Sequence, residues 1–169
     1  MGPTVLLAIW ERSLLNGMNA KLQNLHFDVV VAENEVRFAQ QTTARNIDVI
    51  LLDIRSNGEN SLRLMAYVKE KKPETEVILL SNQKSISLAM EGIQAGAFDD
   101  IPEPFDVDEI TRKIRAAWKR KNKLRKKERS RLVQFWEKTM MAVTYAEAGD
   151  FETALRLAGK EKKGDKKSE

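Results

Sequence analysis

Apolar residues fall in short runs along this chain, and segments with helical spacing separate the runs. The runs TVLLAI (4–9), FDVVVA (27–32), IDVILLD (47–53), EVILLS (76–81) and FDDI (98–101) read as strands. Between them, LLNGMNAKLQNL (14–25), VRFAQQTTAR (36–45), SLRLMAYVKEKK (61–72) and ISLAMEGIQAG (86–96) carry helical spacing; the third stops at Pro73 and the fourth closes at Gly96. In the third helix Leu62, Met65, Ala66 and Val68 gather near one face. A last helix opens at DVDEITRKIRAAW (106–118), with Asp106 as its N-cap. Near-continuous apolar strands are buried on both faces, and parallel strands need crossovers, which are overwhelmingly right-handed. The expected class is therefore α/β, a doubly wound five-stranded parallel sheet with a helical extension at the C-terminus.

The extension changes character twice. RKIRAAWKRKNKLRKKERSR (112–131) holds twelve Lys and Arg with Glu128 as its sole acid, and no helix breaker interrupts it. Ile110, Ile114 and Ala117 keep a core-facing stripe, but from 119 to 131 only Leu124 is apolar, the signature of a solvent-bridging helix or linker. Amphipathic spacing then returns. Phe135, Trp136, Met140, Val143 and Tyr145 belong to one helix, Gly149 and Asp150 to a turn, and Phe151, Ala154, Leu155 and Ala158 to another helix. The final GKEKKGDKKSE lacks apolar residues and is expected to be disordered. The expected organisation is thus a domain over 1–118, a basic linker over 119–131, a hairpin over 132–158 and a tail over 159–169.

Composition narrows the chemistry. With 42% apolar and 32% charged residues, the 169-residue chain can build a core and stay soluble. No apolar run approaches the eighteen or so residues of a membrane span, and MGPTVLLAIWERS has no basic region to start a signal peptide. Cysteine is absent, which fits a reducing, cytoplasmic setting, and His26 is the single histidine. That leaves no ligand set for an ordinary zinc site. No catalytic base or phosphate-binding glycine loop stands out either, so small-molecule turnover is not expected. Charge is uneven. Residues 1–105 carry 10 Lys and Arg against 14 Asp and Glu, whereas residues 106–169 carry 19 against 11.

Asp53 ends the apolar run of the third strand, where the chain gives way to RSNG. In open α/β sheets ligands bind beyond the carboxyl ends of the strands, at the point where strand order reverses. The segments DVILLDIRSNGENSL, PETEVILLSNQ and GIQAGAFDDIPEPF together resemble those of response-regulator receiver domains across roughly residues 4–118. The resemblance implies a sheet of order 2-1-3-4-5 and two-component signalling with a histidine kinase or another signalling protein as partner. It makes Asp53 the phosphoacceptor and Ser81 the hydroxyl contacting the phosphoryl group. It also implies an Arg55 carbonyl facing a bound Mg²⁺ and a cis bond before Pro104. The segment YAEAGDFETAL resembles the turn of a tetratricopeptide repeat, although one hairpin alone cannot build a solenoid.

Several family positions depart from the pattern. The acidic pair after the first strand is replaced by Ile9 and Trp10, which leaves Glu11 as the one metal-side carboxylate; Mg²⁺ requires oxygen ligands. Glu103 takes the place of the lysine that stabilises charge on the phosphoryl oxygens, and Asp100 takes the place of the aromatic switch residue. Reversing the charge at 103 predicts repulsion, since unit charges about 4 Å apart interact by roughly 4 kcal/mol at an effective dielectric of about 20. The expectation is a degenerate receiver that acts through protein contact. In one alternative, Glu11, Asp53 and Glu103 hold a cation in altered geometry; in another, Glu103 supplies phosphoryl-like charge. The basic segment admits nucleic acid, an anionic membrane surface or an acidic partner, the acidic receiver half of another copy included. With no helix-turn-helix after it, sequence-specific DNA reading is not expected. A dimeric scaffold working through the hairpin is the remaining alternative.

Overall fold

The computed structural model describes residues 2–159. The chain alternates β1 (Thr4–Ala8), α1 (Arg12–Asn24), β2 (Asp28–Val31), α2 (Glu35–Ala44), β3 (Val49–Asp53), α3 (Gly58–Lys71), β4 (Glu76–Ser81), α4 (Ile86–Gln94) and β5 (Asp99–Pro102). Two further helices follow, α5 (Val107–Glu147) and α6 (Phe151–Leu157). All strand pairs are parallel and the order is β2-β1-β3-β4-β5, as the receiver resemblance implies. Order reverses between β1 and β3, so the carboxyl end of β3 opens onto the crevice with Asp53 as its last residue.

The strands alternate their side chains between two apolar layers. Val5, Leu7, Val49, Leu51, Ile78 and Leu80 face a cluster completed by α1 and α5, while Leu6, Ile50, Leu52, Val77 and Leu79 face one completed by α2, α3 and α4. Both faces are covered, which explains why β3 and β4 are buried at every position. The expected face of α3 needs one correction: Met65 and Val68 are buried, but Ala66 is exposed and Ser61 takes up the inward position.

The chain divides into two compact units, Met1–Leu124 and Arg125–Glu169. Asp106 caps α5, its Oδ1 accepting the Asp108 N–H at 3.0 Å. The helix runs unbroken through the segment read as a linker and ends at Glu147, 41 residues in all. Its inward stripe in the first unit, Ile110, Ile114 and Ala117, continues one turn further through a lysine. Lys121 is 1% exposed and donates to the Ile47 carbonyl at 2.9 Å while its ammonium pairs with Asp48 at 2.9 Å. Arg120 reaches the buried Glu76 carboxylate at 3.1 Å, and Lys113 reaches Asp99 at 2.9 Å. Part of the basic segment is therefore structural, pinning α5 to strand ends.

The second unit is a hairpin. Gly149, at φ +82, takes the left-handed conformation that ends α5. The Gly149 N–H donates to the Ala146 carbonyl and the Asp150 N–H to the Tyr145 carbonyl. Asp150 then caps α6 by accepting the Thr153 N–H at 3.1 Å, a bond that lowers its carboxyl pKa. Ala142 and Ala154 are buried, whereas Phe135, Trp136, Met140 and Phe151 are exposed. The tail expected to be disordered lies, from residue 160 on, outside the described residues.

Candidate functional site

The carboxyl end of β3 delivers Asp53 to the bottom of the crevice at 1% exposure. A short relay from the neighbouring elements sets the strand end. Trp10 Nε1 donates to Ser61 Oγ at 3.3 Å, and Ser61 Oγ donates to the Asp53 carbonyl at 2.7 Å. Trp10 and Ile9, the residues at the acidic-pair positions, have become packing: Ile9 is buried in one apolar cluster and Trp10 packs against the other. Nothing in the sequence singled out Ser61, whose role depends on α3 passing behind the strand.

The centre of the site holds a side chain. Arg55 turns back over Asp53, with Nε 2.9 Å from Oδ1 and Nη2 2.9 Å from Oδ2, a bidentate pair. Asp53 Oδ1 also accepts the Arg55 backbone N–H at 3.0 Å. The same guanidinium donates from Nη1 to Glu103 Oε1, approaches Glu11 Oε2 at 3.3 Å and lies 5.2 Å from the centre of the Phe105 ring. The Arg55 side chain is 12% exposed. Its pKa is raised above an already high ordinary value, chiefly by the hydrogen bond to Asp53; burial opposes the shift and Glu103 adds to it. Arg55, Glu103, Glu11 and Phe105 line a shallow cleft of about 370 Å³.

This arrangement corrects the electrostatic expectation. Glu103 does not stand as an uncompensated negative charge facing Asp53, because the guanidinium lies between them and binds both. Sequence reasoning assigned Arg55 a backbone role, and its side chain is what matters here. The lysine's charge has in effect moved from position 103 to position 55. The exchange is incomplete, since one cation serves three carboxylates.

Ser81 is buried, and its Oγ donates to Asp100 Oδ2 at 3.2 Å. Asp100, at the aromatic switch position, is half-buried and accepts that bond. The Glu103–Pro104 bond is cis, as the resemblance implies.

The donor set does not fit Mg²⁺. Both Asp53 oxygens are taken by Arg55, Ile9 and Trp10 offer no oxygen, and the guanidinium fills the space between the carboxylates. Among the described residues no group of three His, Asp or Glu side chains is placed to hold a metal ion. The alternative of a cation held by Glu11, Asp53 and Glu103 takes a different form: the cation is Arg55. His26 lies away from this chemistry, in the turn before β2 at φ 62. Among the described residues no helix is long and apolar enough to cross a membrane.

Comparison with known proteins agrees with the fold. Residues 7–115 match the model of the response regulator receiver domain. The DNA-binding transcriptional regulator NtrC of Rhizobium meliloti is 27% identical over 109 residues, which cover 64% of this chain and 22% of that protein. NtrC of Escherichia coli K12 is 33% identical over 85 residues, covering 50% and 18%. A response regulator of Thermotoga maritima, of known crystal structure, is 27% identical with a TM-score of 0.62, covering 70% of this chain and 99% of that one. The match therefore spans only about a fifth of each NtrC protein. With the strand order, the placement of Asp53 and a family model covering well over half its length, this chain belongs to the response-regulator receiver family.

Proposed function

We propose that the chain is an atypical receiver in two-component signalling, acting through contact with a protein partner while Asp53 is held out of phosphoryl chemistry. The observation that carries this reading is the bidentate Arg55–Asp53 pair. A carboxylate attacks a phosphoryl donor through an oxygen lone pair, and here Arg55 occupies three of the carboxylate's about four acceptor positions, two of them with a cationic guanidinium that lowers its nucleophilicity. The donor must also approach a site with more carboxylates than cations, without the lysine that would stabilise its oxygens. Ser81, the expected phosphoryl contact, is engaged with Asp100. A histidine kinase or another cytoplasmic signalling protein is the proposed partner, recognising the receiver surface in its unphosphorylated form.

Incubation with acetyl phosphate and Mg²⁺, read by intact mass, tests the reading. The expected result is no adduct of roughly 80 Da, the mass of one phosphoryl group. An adduct present in the wild type and absent from Asp53→Asn overturns it.

A second reading draws on the exposed Phe135, Trp136 and Phe151 of the hairpin. Large aromatics exposed together mark contact surfaces, which supports a phosphorylation-independent scaffold that dimerises through this unit. Light scattering on the full chain and on Phe135→Glu/Trp136→Glu tests it. A mass of two chains that falls to one in the variant supports the scaffold, and a monomeric wild type removes it.

A further inference from the structure

We propose that the receiver carries a pocket for a small monocarboxylate with an apolar body, at the edge of the sheet opposite Asp53. A cavity of about 390 Å³ opens between the C-terminal ends of α2 and α3, within the range of roughly 300–1,000 Å³ of small-molecule sites. Thr42 and Thr43 of α2 line it with Tyr67 and Val68 of α3, and Ile47 and Thr75, which precede β3 and β4, complete the wall. Asp53 stands at the other end of β3, and the cavity shares no residue with the cleft at Arg55.

The wall is mainly apolar even though three of the eight lining residues are threonines. Each threonine hydroxyl is engaged by a backbone carbonyl. Thr42 Oγ1 donates to Phe38 at 2.8 Å, Thr43 Oγ1 to Ala39 at 2.8 Å and Thr75 Oγ1 to Ile47 at 3.1 Å. Thr42, Ile47, Val68 and Thr75 are buried and form a preformed floor. Protein interiors leave few voids larger than a water molecule. A recess of this size and lining therefore favours a ligand whose body is apolar.

The charged side chains that line the cavity are both lysines, Lys71 and Lys72, at the end of α3. Lys71 Nζ donates to Glu70 Oε1 at 2.8 Å and Lys72 Nζ to the Arg45 carbonyl at 2.8 Å. An ammonium has three donors, so each lysine keeps donors for a ligand. The Tyr67 hydroxyl, 3.5 Å from Thr43 Oγ1, stands at the same exposed mouth. Cations at the mouth of an apolar recess, with no carboxylate in its lining, select an anionic head on an apolar body. A carboxylate, with a single charge, is less costly to desolvate there than a phosphate monoester with nearly two.

The test is isothermal titration calorimetry of the full chain with 3-phenylpropionate and octanoate, each compared with its neutral amide. At least one acid binds saturably at one site per chain, and its amide binds about tenfold more weakly through loss of a charge-assisted hydrogen bond. Thr43→Trp sets an indole at the exposed mouth, leaves the buried floor in place and weakens binding at least tenfold. Lys71→Gln/Lys72→Gln removes the preference for acid over amide. Circular dichroism checks the fold of both variants, and if Thr43→Trp does not fold the lysine variant decides alone. No saturable binding of either acid at millimolar concentration, or an acid that binds no tighter than its amide, overturns the proposal. So does an undiminished preference for the acid in the lysine variant. A folded Thr43→Trp that binds as the wild type does also overturns it, since the acids then sit elsewhere, for example on the exposed aromatics of the hairpin.

Discussion

Replacing Arg55 by Met keeps most of the side-chain volume and removes the cation over Asp53. The two partners of that pair stand in unequal surroundings. Asp53 is 1% exposed, whereas Glu103 and Glu11 on the far side of the guanidinium reach solvent. Removing Arg55 therefore strands a buried carboxylate, a change that typically costs about 3–5 kcal/mol. Asp53→Asn is milder: Arg55 keeps Glu103 and Glu11, and the neutral amide needs far less solvation, so about 1–2 kcal/mol is expected. In Asp53→Asn/Arg55→Met no charge is left buried. The double variant is therefore more stable than Arg55→Met alone, with a coupling energy of about 2 kcal/mol or more. Urea unfolding of the four proteins at neutral pH measures all these quantities. An Arg55→Met variant within about 1 kcal/mol of the wild type, or single costs that simply add, refutes the idea that Arg55 is the cation of this site.

Two other charged positions give independent checks. Lys121→Met keeps the buried stem but removes one of the two donors to the Ile47 carbonyl, leaving Thr75 Oγ1 at 3.1 Å, and leaves Asp48 without its cation; a loss of about 1–3 kcal/mol is expected from urea unfolding, and a loss under about 0.5 kcal/mol removes the structural role of that lysine. Lys69, which donates to the Thr75 carbonyl at 2.8 Å and lies 3.6 Å from Glu76, has its pKa lowered from the ordinary 10.5, chiefly by burial, with Glu76 opposing the shift. Because the unfolded chain then holds this proton more tightly than the folded one, the Lys69 contribution to stability rises with pH in the window just below 10.5. Thermal melts across alkaline pH should show that rise in the wild type relative to Lys69→Met, and parallel curves for the two proteins refute the burial argument.

The sequence by itself determined the strands, the helices between them and the place of Asp53. Each of these is a local property: a run of apolar residues buried on both faces, a period of 3.6, a proline or glycine at a helix end. The segments around Asp53, Ser81 and Pro104 carried the family resemblance and with it the strand order. Periodicity failed at Ala66 and Ser61, which differ too little in size and polarity for a helical face to be assigned from spacing alone. Tertiary structure decided what the charges do. Lys121 reads as one more cation in a solvated run, yet it is buried because the chain near Asn46 and Asp48 supplies partners more than seventy positions away. Arg55 and Glu103 are 48 residues apart, and nothing between them signals that one guanidinium will span Asp53 and Glu103. Hydrophobic burial is written along the chain because it acts on every residue of an element at once. An ion pair depends on where two side chains end up in space, and only the folded sheet brings them within reach.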